Sequence, residues 1–168
     1  MSSLVQLVQR FVPTPIGRLR LVANDEALVA IELPLLSGGG ARPLPAVDAR
    51  RHDILGRAAR QFEEYFRGER REFDLPLSPE GTPFQKAVWD EVARIPFGER
   101  RSYAEVALEI GRPRAVRAVG GANARNPLPI VVPCHRVVGS DGTLTGYAGG
   151  LAAKEWLLSH ELAFEGVS

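Results

Sequence analysis

Tyr103-Ala-Glu-Val-Ala-Leu-Glu-Ile110, then Gly111-Arg-Pro113, then Ala115-Val-Arg-Ala-Val-Gly-Gly-Ala-Asn123: this stretch decides the fold of the second half of the chain. Ser102 is a good N-cap for the first segment. Gly111 and Pro113 break the chain between the segments. Two short helices joined by a glycine-containing turn within about 22 residues have helix-turn-helix spacing. The second helix is rich in alanine and glycine, and Arg117 is the one long cation in its body. Few of its side chains can read base edges in a major groove. Small residues instead permit close approach to a backbone or a narrow groove. Such helix pairs also occur in cores that bind no nucleic acid, so the sequence on either side has to discriminate.

Downstream, Asn126-Pro127 ends the helical pair, and Leu128 to Val132 leads into Pro133-Cys134-His135-Arg136-Val137. Cys134 is the only cysteine among 168 residues. It has no partner for an internal disulfide, so its value is packing or chemistry. Free cysteines are often buried and inert. Here the neighbour is histidine, the side chain best suited to taking a thiol proton near neutral pH. The apolar run before it and the polar, glycine-rich run after it place the thiol at the rim of a sheet, beside a loop-built pocket. Gly139 to Gly150 supplies that loop, with Tyr147 as its aromatic residue. Leu151 to Glu161 reads as a terminal helix. A carboxylate there would orient His135, as nucleophile–base–orienter arrangements require. Glu155, Glu161 and Glu165 compete for that role.

Composition bounds the remaining possibilities. The apolar share is 45%, ordinary for a globular protein. One cysteine excludes a disulfide scaffold and fits a reducing cytoplasm. His52, His135 and His160 lack metal-site spacing. The N-terminal residues lack a basic segment followed by a long apolar core, so no signal peptide is expected. No apolar run reaches membrane-spanning length. Net charge is +1. Between Arg94 and Arg136, however, stand eight arginines and only three acids, Glu99, Glu105 and Glu109, a local excess of +5. Such a basic block is a plausible phosphate-facing surface.

Upstream, the first third reads as strands. Leu4 to Val8 leads to a turn at Thr14-Pro15-Ile16-Gly17. Leu19, Leu21 and Ala23 alternate with polar neighbours as in a half-buried strand, and Leu28 to Leu33 is a further apolar run. Pro34 to Pro45 reads as a loop. Ile54, Ala58, Phe62 and Phe66 recur at helical spacing, predicting a helix over about Val47 to Arg67 that stops at Gly68. Phe73, Leu75 and Leu77 alternate as a last strand. Residues 1–76 therefore form an α/β domain, 77–81 a linker, and 82–168 a mainly helical domain. The latter opens with Thr82 as cap, Pro83 at the first helical position and Gln85 at the third, a capping-box arrangement. Phe84, Val88, Val92 and Ile95 form the apolar face of this helix, with Trp89 in the core.

The run Asn126-Pro-Leu-Pro-Ile-Val-Val-Pro-Cys-His-Arg-Val-Val138 closely resembles the active-site signature of the O6-alkylguanine-DNA alkyltransferases, or methylated-DNA–protein-cysteine methyltransferases. Further resemblance lies in Thr82-Pro-Phe-Gln-Lys-Ala-Val-Trp89, Ile95-Pro-Phe-Gly98, Ser102-Tyr103, Arg117-Ala-Val-Gly120 and Gly146-Tyr-Ala-Gly-Gly150, with a weaker match at Thr14-Pro-Ile-Gly17. It implies an N-terminal α/β domain of ribonuclease-H-like topology, then a helical DNA-binding and catalytic domain. It implies Cys134 as alkyl acceptor, activated by His135 through a water and by Glu161. Asn126 matches the asparagine tying the helix-turn-helix to the active-site loop. Arg117 matches the arginine that enters the duplex in place of the extruded nucleotide. Tyr103 matches the tyrosine that assists rotation of the target phosphate and protonation of the leaving guanine. Val137, Tyr147 and the backbone at Ala148 match the guanine pocket. Ser102 belongs with the DNA contacts, and Arg112, Arg114 and Arg125 are expected to touch phosphates.

Two departures stand out. Several relatives carry serine at the position of Ala148, so a hydroxyl contact is lost there. Some bind zinc through cysteines in the first domain, where this chain has none. No metal and no cofactor are therefore expected. The implied partner is double-stranded DNA containing alkylated guanine, or O4-alkylthymine, met in the cytoplasm by a monomer. A cysteine hydrolase would use the same Cys–His pair but needs an oxyanion hole and turns over repeatedly. A helix-turn-helix regulator would not need Cys134.

Overall fold

The computed structural model describes residues 6–34, 52–147 and 149–165. The expected strand start at Leu4, the Pro34–Pro45 loop beyond Pro34, the helix start at Val47 and Ala148 lie outside them. The chain divides into two compact units, Met1–Glu80 and Gly81–Ser168.

The first unit holds a three-stranded antiparallel sheet in the order β1 (Val8–Thr14), β2 (Gly17–Ala23), β3 (Leu28–Glu32), with helix α1 (Asp53–Phe66). β1 and β2 are joined by the two residues Pro15 and Ile16, and Thr14 pairs with Gly17. Gly17 has φ +110, and a Cβ there would lie 2.6 Å from Pro34 Cγ, so only glycine fits this corner. β2 is central, and it departs from the half-buried reading: Arg20 and Val22 are buried along with Leu19, Leu21 and Ala23. Arg20 tolerates this because its guanidinium meets Glu32 Oε2 and Gln9 Oε1, each at 2.6 Å.

Helix α1 is capped by His52, whose Nδ1 accepts from Leu55 N, and ends at Gly68 with φ +77. It buries Leu55, Ala58, Phe62 and Tyr65 against the unit's core, each large side chain contributing roughly 1.5–3 kcal/mol. The expected strand over Phe73–Leu77 is absent. Gln61 donates to Asp74 O and accepts from Asp74 N, so a side chain satisfies the backbone that a neighbouring strand would have paired. Phe73 stacks on Phe62 and Tyr65 instead. Only Leu77 pairs, as an isolated bridge to Leu28, and Ser78 N donates to Leu28 O.

The second unit contains α2 (Pro83–Val92), α3 (Tyr103–Glu109), α4 (Val116–Ala124) and α5 (Leu151–Phe164). A two-stranded parallel pair joins β4 (Arg101–Ser102) to β5 (Val137–Val138). Both halves of the Thr82–Gln85 capping box are formed. Helices α2, α3 and α4 pack on one another around Val88, Val92, Val106, Ala107 and Val119. Trp89 is buried and its indole N–H donates to Ala122 O at 2.8 Å. Helix α3, the turn at Gly111 (φ +76) and α4 form the helix-turn-helix.

Candidate active site

Two asparagines tether α4 to the cysteine run. Asn123 Nδ2, on the helix itself, donates to Cys134 O at 3.2 Å. Asn126, just past its end, accepts from Leu128 N and donates to Val132 O at 2.8 Å. The segment between forms no strand. Val132 N reaches back to Leu128 O, and Ile130 sits at φ 76. A β-branched residue in this left-handed region costs about 1–3 kcal/mol, offset here by a side chain packed fully inside. Cys134, His135 and Arg136 then form a single 3-10 turn that feeds β5.

Cys134 is buried and rests as a thiol. Burial pushes it up to about 11, against the opposing effects of an Asn126 hydrogen bond and the Lys154 charge. His135 is fully enclosed, and its Nε2 lies 2.7 Å from Glu161 Oε2. Of the three competing carboxylates, the structure brings only Glu161 to His135, because Glu155 and Glu165 are exposed. Burial raises the Glu161 carboxyl, but hydrogen bonds and charges from His135 and Arg136 outweigh it and hold the group far below the carboxylate range. The carboxylate is thus ionised and accepts from His135 Nε2–H. The neutral ring then carries its lone pair on Nδ1, a buried atom with no hydrogen-bond partner among the described residues. Burial also lowers the His135 pKa, so the ring rests neutral.

Two residues of this site escaped the sequence reading. Arg136 forms a bidentate pair with Glu161, Nε to Oε1 at 2.8 Å and Nη2 to Oε2 at 3.0 Å, and donates Nη1 to Ile95 O at 2.6 Å. Lys154 is wholly buried on α5 and donates to Val137 O and Thr145 O at 2.7 and 2.8 Å. A lysine amid the apolar residues of α5 was the signal for it. Its ammonium also lies 5.9 Å from the Tyr103 ring centroid. Tyr103 OH accepts from Thr145 Oγ1 at 3.1 Å. Val137 is buried, and the Tyr147 hydroxyl is buried without a hydrogen-bond partner among the described residues. Ser102 is buried at the N-cap of α3, its Oγ accepting from Glu105 N.

Arg112, Arg114, Arg117 and Arg125 are exposed and make no ion pair among the described residues. On α4 the outward face is Arg117, Ala118, Gly121 and Ala124, one long cation among small residues. No cluster of three His, Cys, Asp or Glu stands together among the described residues, so none is in place to hold a metal ion. Nor is any helix among them long and apolar enough to cross a membrane.

Comparison with known proteins matches both units to one family. Residues 7–79 match the 6-O-methylguanine DNA methyltransferase ribonuclease-like domain, and residues 83–163 match its DNA-binding domain. The chain belongs to the 6-O-methylguanine DNA methyltransferase family. Within that family it is 51% identical over 150 residues to a methylated-DNA–protein-cysteine methyltransferase of Methanosarcina barkeri, covering 89% of this chain and 94% of that protein. A Haemophilus influenzae methyltransferase of the same name is 41% identical, covering 92% and 86%. Among solved methyltransferases, Mycobacterium tuberculosis O6-methylguanine methyltransferase aligns with a TM-score of 0.85 at 38% identity over 97% of each chain. The Mycobacterium tuberculosis protein OGT in complex with DNA aligns at 0.81, with 43% identity over 94% of each chain. The ribonuclease-like and DNA-binding halves expected of the family are both present.

Proposed function

We propose that this methyltransferase repairs DNA by direct reversal, moving the alkyl group of O6-alkylguanine, and of O4-alkylthymine, onto Cys134 once per molecule. The observation that supports it is the pairing beside the lone thiol: His135 Nε2 on ionised Glu161, with Nδ1 left without a hydrogen-bond partner among the described residues. The thiol proton passes through a water to His135 Nδ1. The thiolate then attacks the alkyl carbon, the S–C bond forms and the C–O6 bond breaks. Guanine departs as it takes the Tyr103 phenol proton. A thioether remains, a bond stable toward water, so turnover stops at one. Lys154 offers a cation to the thiolate and braces the Thr145 loop.

The target oxygen lies inside the base stack, so the nucleotide must leave it. The small-residue face of α4 admits close approach to a minor groove, where Arg117 takes the vacated space. Arg112, Arg114 and Arg125 hold phosphates without sequence preference. Val137 and Tyr147 line the guanine pocket, Asn126 ties α4 to it, and Ser102 lies beside the DNA. The first domain spans 1–76, the linker 77–81 and the repair domain 82–168. Its workplace is the cytoplasm. Mixing the protein with excess O6-methylguanine duplex tests the reading. One methyl per protein, on Cys134, is expected; repeated turnover would mean a hydrolase, and no transfer a DNA-binding regulator.

A further inference from the structure

Glu161 serves both His135 and Arg136, and these two side chains meet at one oxygen. Oε2 accepts from His135 Nε2 at 2.7 Å and from Arg136 Nη2 at 3.0 Å, while Oε1 takes Arg136 Nε at 2.8 Å and Gly98 N at 3.3 Å. All three side chains are at least nine-tenths buried. The guanidinium fork already neutralises the carboxylate. A proton added to His135 would place a second cation on the same anion, in a site where water screens little.

The surrounding groups sharpen the point. On its own turn, His135 adjoins Cys134, a neutral thiol. Helix α5 presents Glu161 and Lys154, a further cation whose charge also disfavours imidazolium. Helix α2 packs against the turn; its Val88, Trp89 and Val92 are buried, its Lys86 and Asp90 exposed and its Glu91 paired to Arg94. Tyr147 faces the site as a neutral phenol whose hydroxyl proton burial holds firmly in place. Among these groups Glu161 is the one anion.

We propose that Arg136 is a positioning residue that keeps His135 neutral, by sharing its carboxylate, so that the ring is always available to accept the thiol proton. Burial is the first influence that disfavours imidazolium, ionised Glu161 pulls the ring toward it, and Arg136 weakens that pull; imidazolium cannot act as that base. The arginine thus trades basicity for readiness: His135 becomes a weaker base that is permanently in the accepting form. The inference rests on the relay of the proposed function, but its first readout needs no reaction.

The test is ring nitrogen NMR of the three histidines in the intact protein, with pH–rate profiles of transfer to Cys134 measured alongside. In the parent, His135 should be neutral at neutral pH with its proton on Nε2. In Arg136→Gln its titration midpoint should rise by about one unit or more, with roughly a tenfold rate loss on the acid limb that is regained at higher pH. Arg136→Lys, which keeps the charge, should leave the limb near its parental position. An imidazolium in the parent at neutral pH overturns the proposal, and that measurement stands even if the glutamine variant fails to fold. So does an unmoved His135 midpoint in folded Arg136→Gln, a rate loss equal at every pH, or a lysine variant that shifts as far as glutamine. Absence of any alkyl transfer in the parent would instead defeat the repair reading, with the His135 titration still deciding this one.

Discussion

Cys134 stores its reactivity as a thiol, because the same burial that pushes it up to about 11 strips water from any thiolate formed there. Reaction therefore depends on neighbours delivering and balancing charge at the moment of attack. Cys134→Ala should abolish transfer while leaving DNA binding largely intact, and intact mass after reaction should rise by one methylene in the parent only. Glu161→Gln should slow single-turnover transfer by roughly 10²–10⁴-fold, with binding much less affected. The Cys–His adjacency was legible in the sequence because neighbours in the chain need no fold to meet. Composition and spacing alone left Glu155, Glu161 and Glu165 open, and only the family resemblance pointed to Glu161: which side of α5 faces the turn is settled by packing. Arg136 and Lys154 went unread for the same reason, since a charged residue within a motif or an apolar helix looks solvated until its burial is known.

At the scale of elements, the periodic and capped segments were the readable ones. The Thr82 box, the Gly68 stop and the α3–turn–α4 pair carry local signals that tertiary contacts did not override. Thr82→Ala should cost about 1 kcal/mol in denaturant unfolding, with transfer by the folded protein unchanged. The apolar run before Cys134 misled, because short apolar runs fit strand and turn alike, and the left-handed Ile130 has no sequence mark. The missing strand at Phe73–Leu77 misled because an alternating pattern does not reveal that the Gln61 side chain has claimed Asp74. Helix α4 bears the functional contrast. Arg117→Ala should impair repair of duplex O6-methylguanine far more than reaction with free O6-benzylguanine, which needs no base flipping. Equal losses on the two substrates in single-turnover assays would assign Arg117 to the fold or the pocket.

For the whole molecule, the buried relay sets a pH window for stability. Glu161 lies lower folded than unfolded, so its contribution is full above the ordinary carboxylate range and declines as pH falls through it. His135 is also lowered, so the unfolded chain binds its proton first, and stability begins to fall below about pH 6.5. Cys134 has the opposite sign: raised from 9.0 to about 11, it contributes below 9.0 and loses that contribution as pH climbs toward 11. Two units amount to on the order of 3 kcal/mol. Thermal unfolding of the parent should therefore weaken on both flanks, and Cys134→Ala should flatten the alkaline flank alone. Trp89 adds an optical consequence. Its indole donates to the carbonyl of Ala122, within the helix that carries Arg117, and the chain has just one other tryptophan. With Trp156→Phe, the protein becomes a single-emitter instrument. Its fluorescence colour and lifetime register the polarity and hydrogen bonding of one indole, and hence each displacement of α4. Stopped-flow emission would time that helix's arrival on a duplex separately from the chemistry that follows, without any dye.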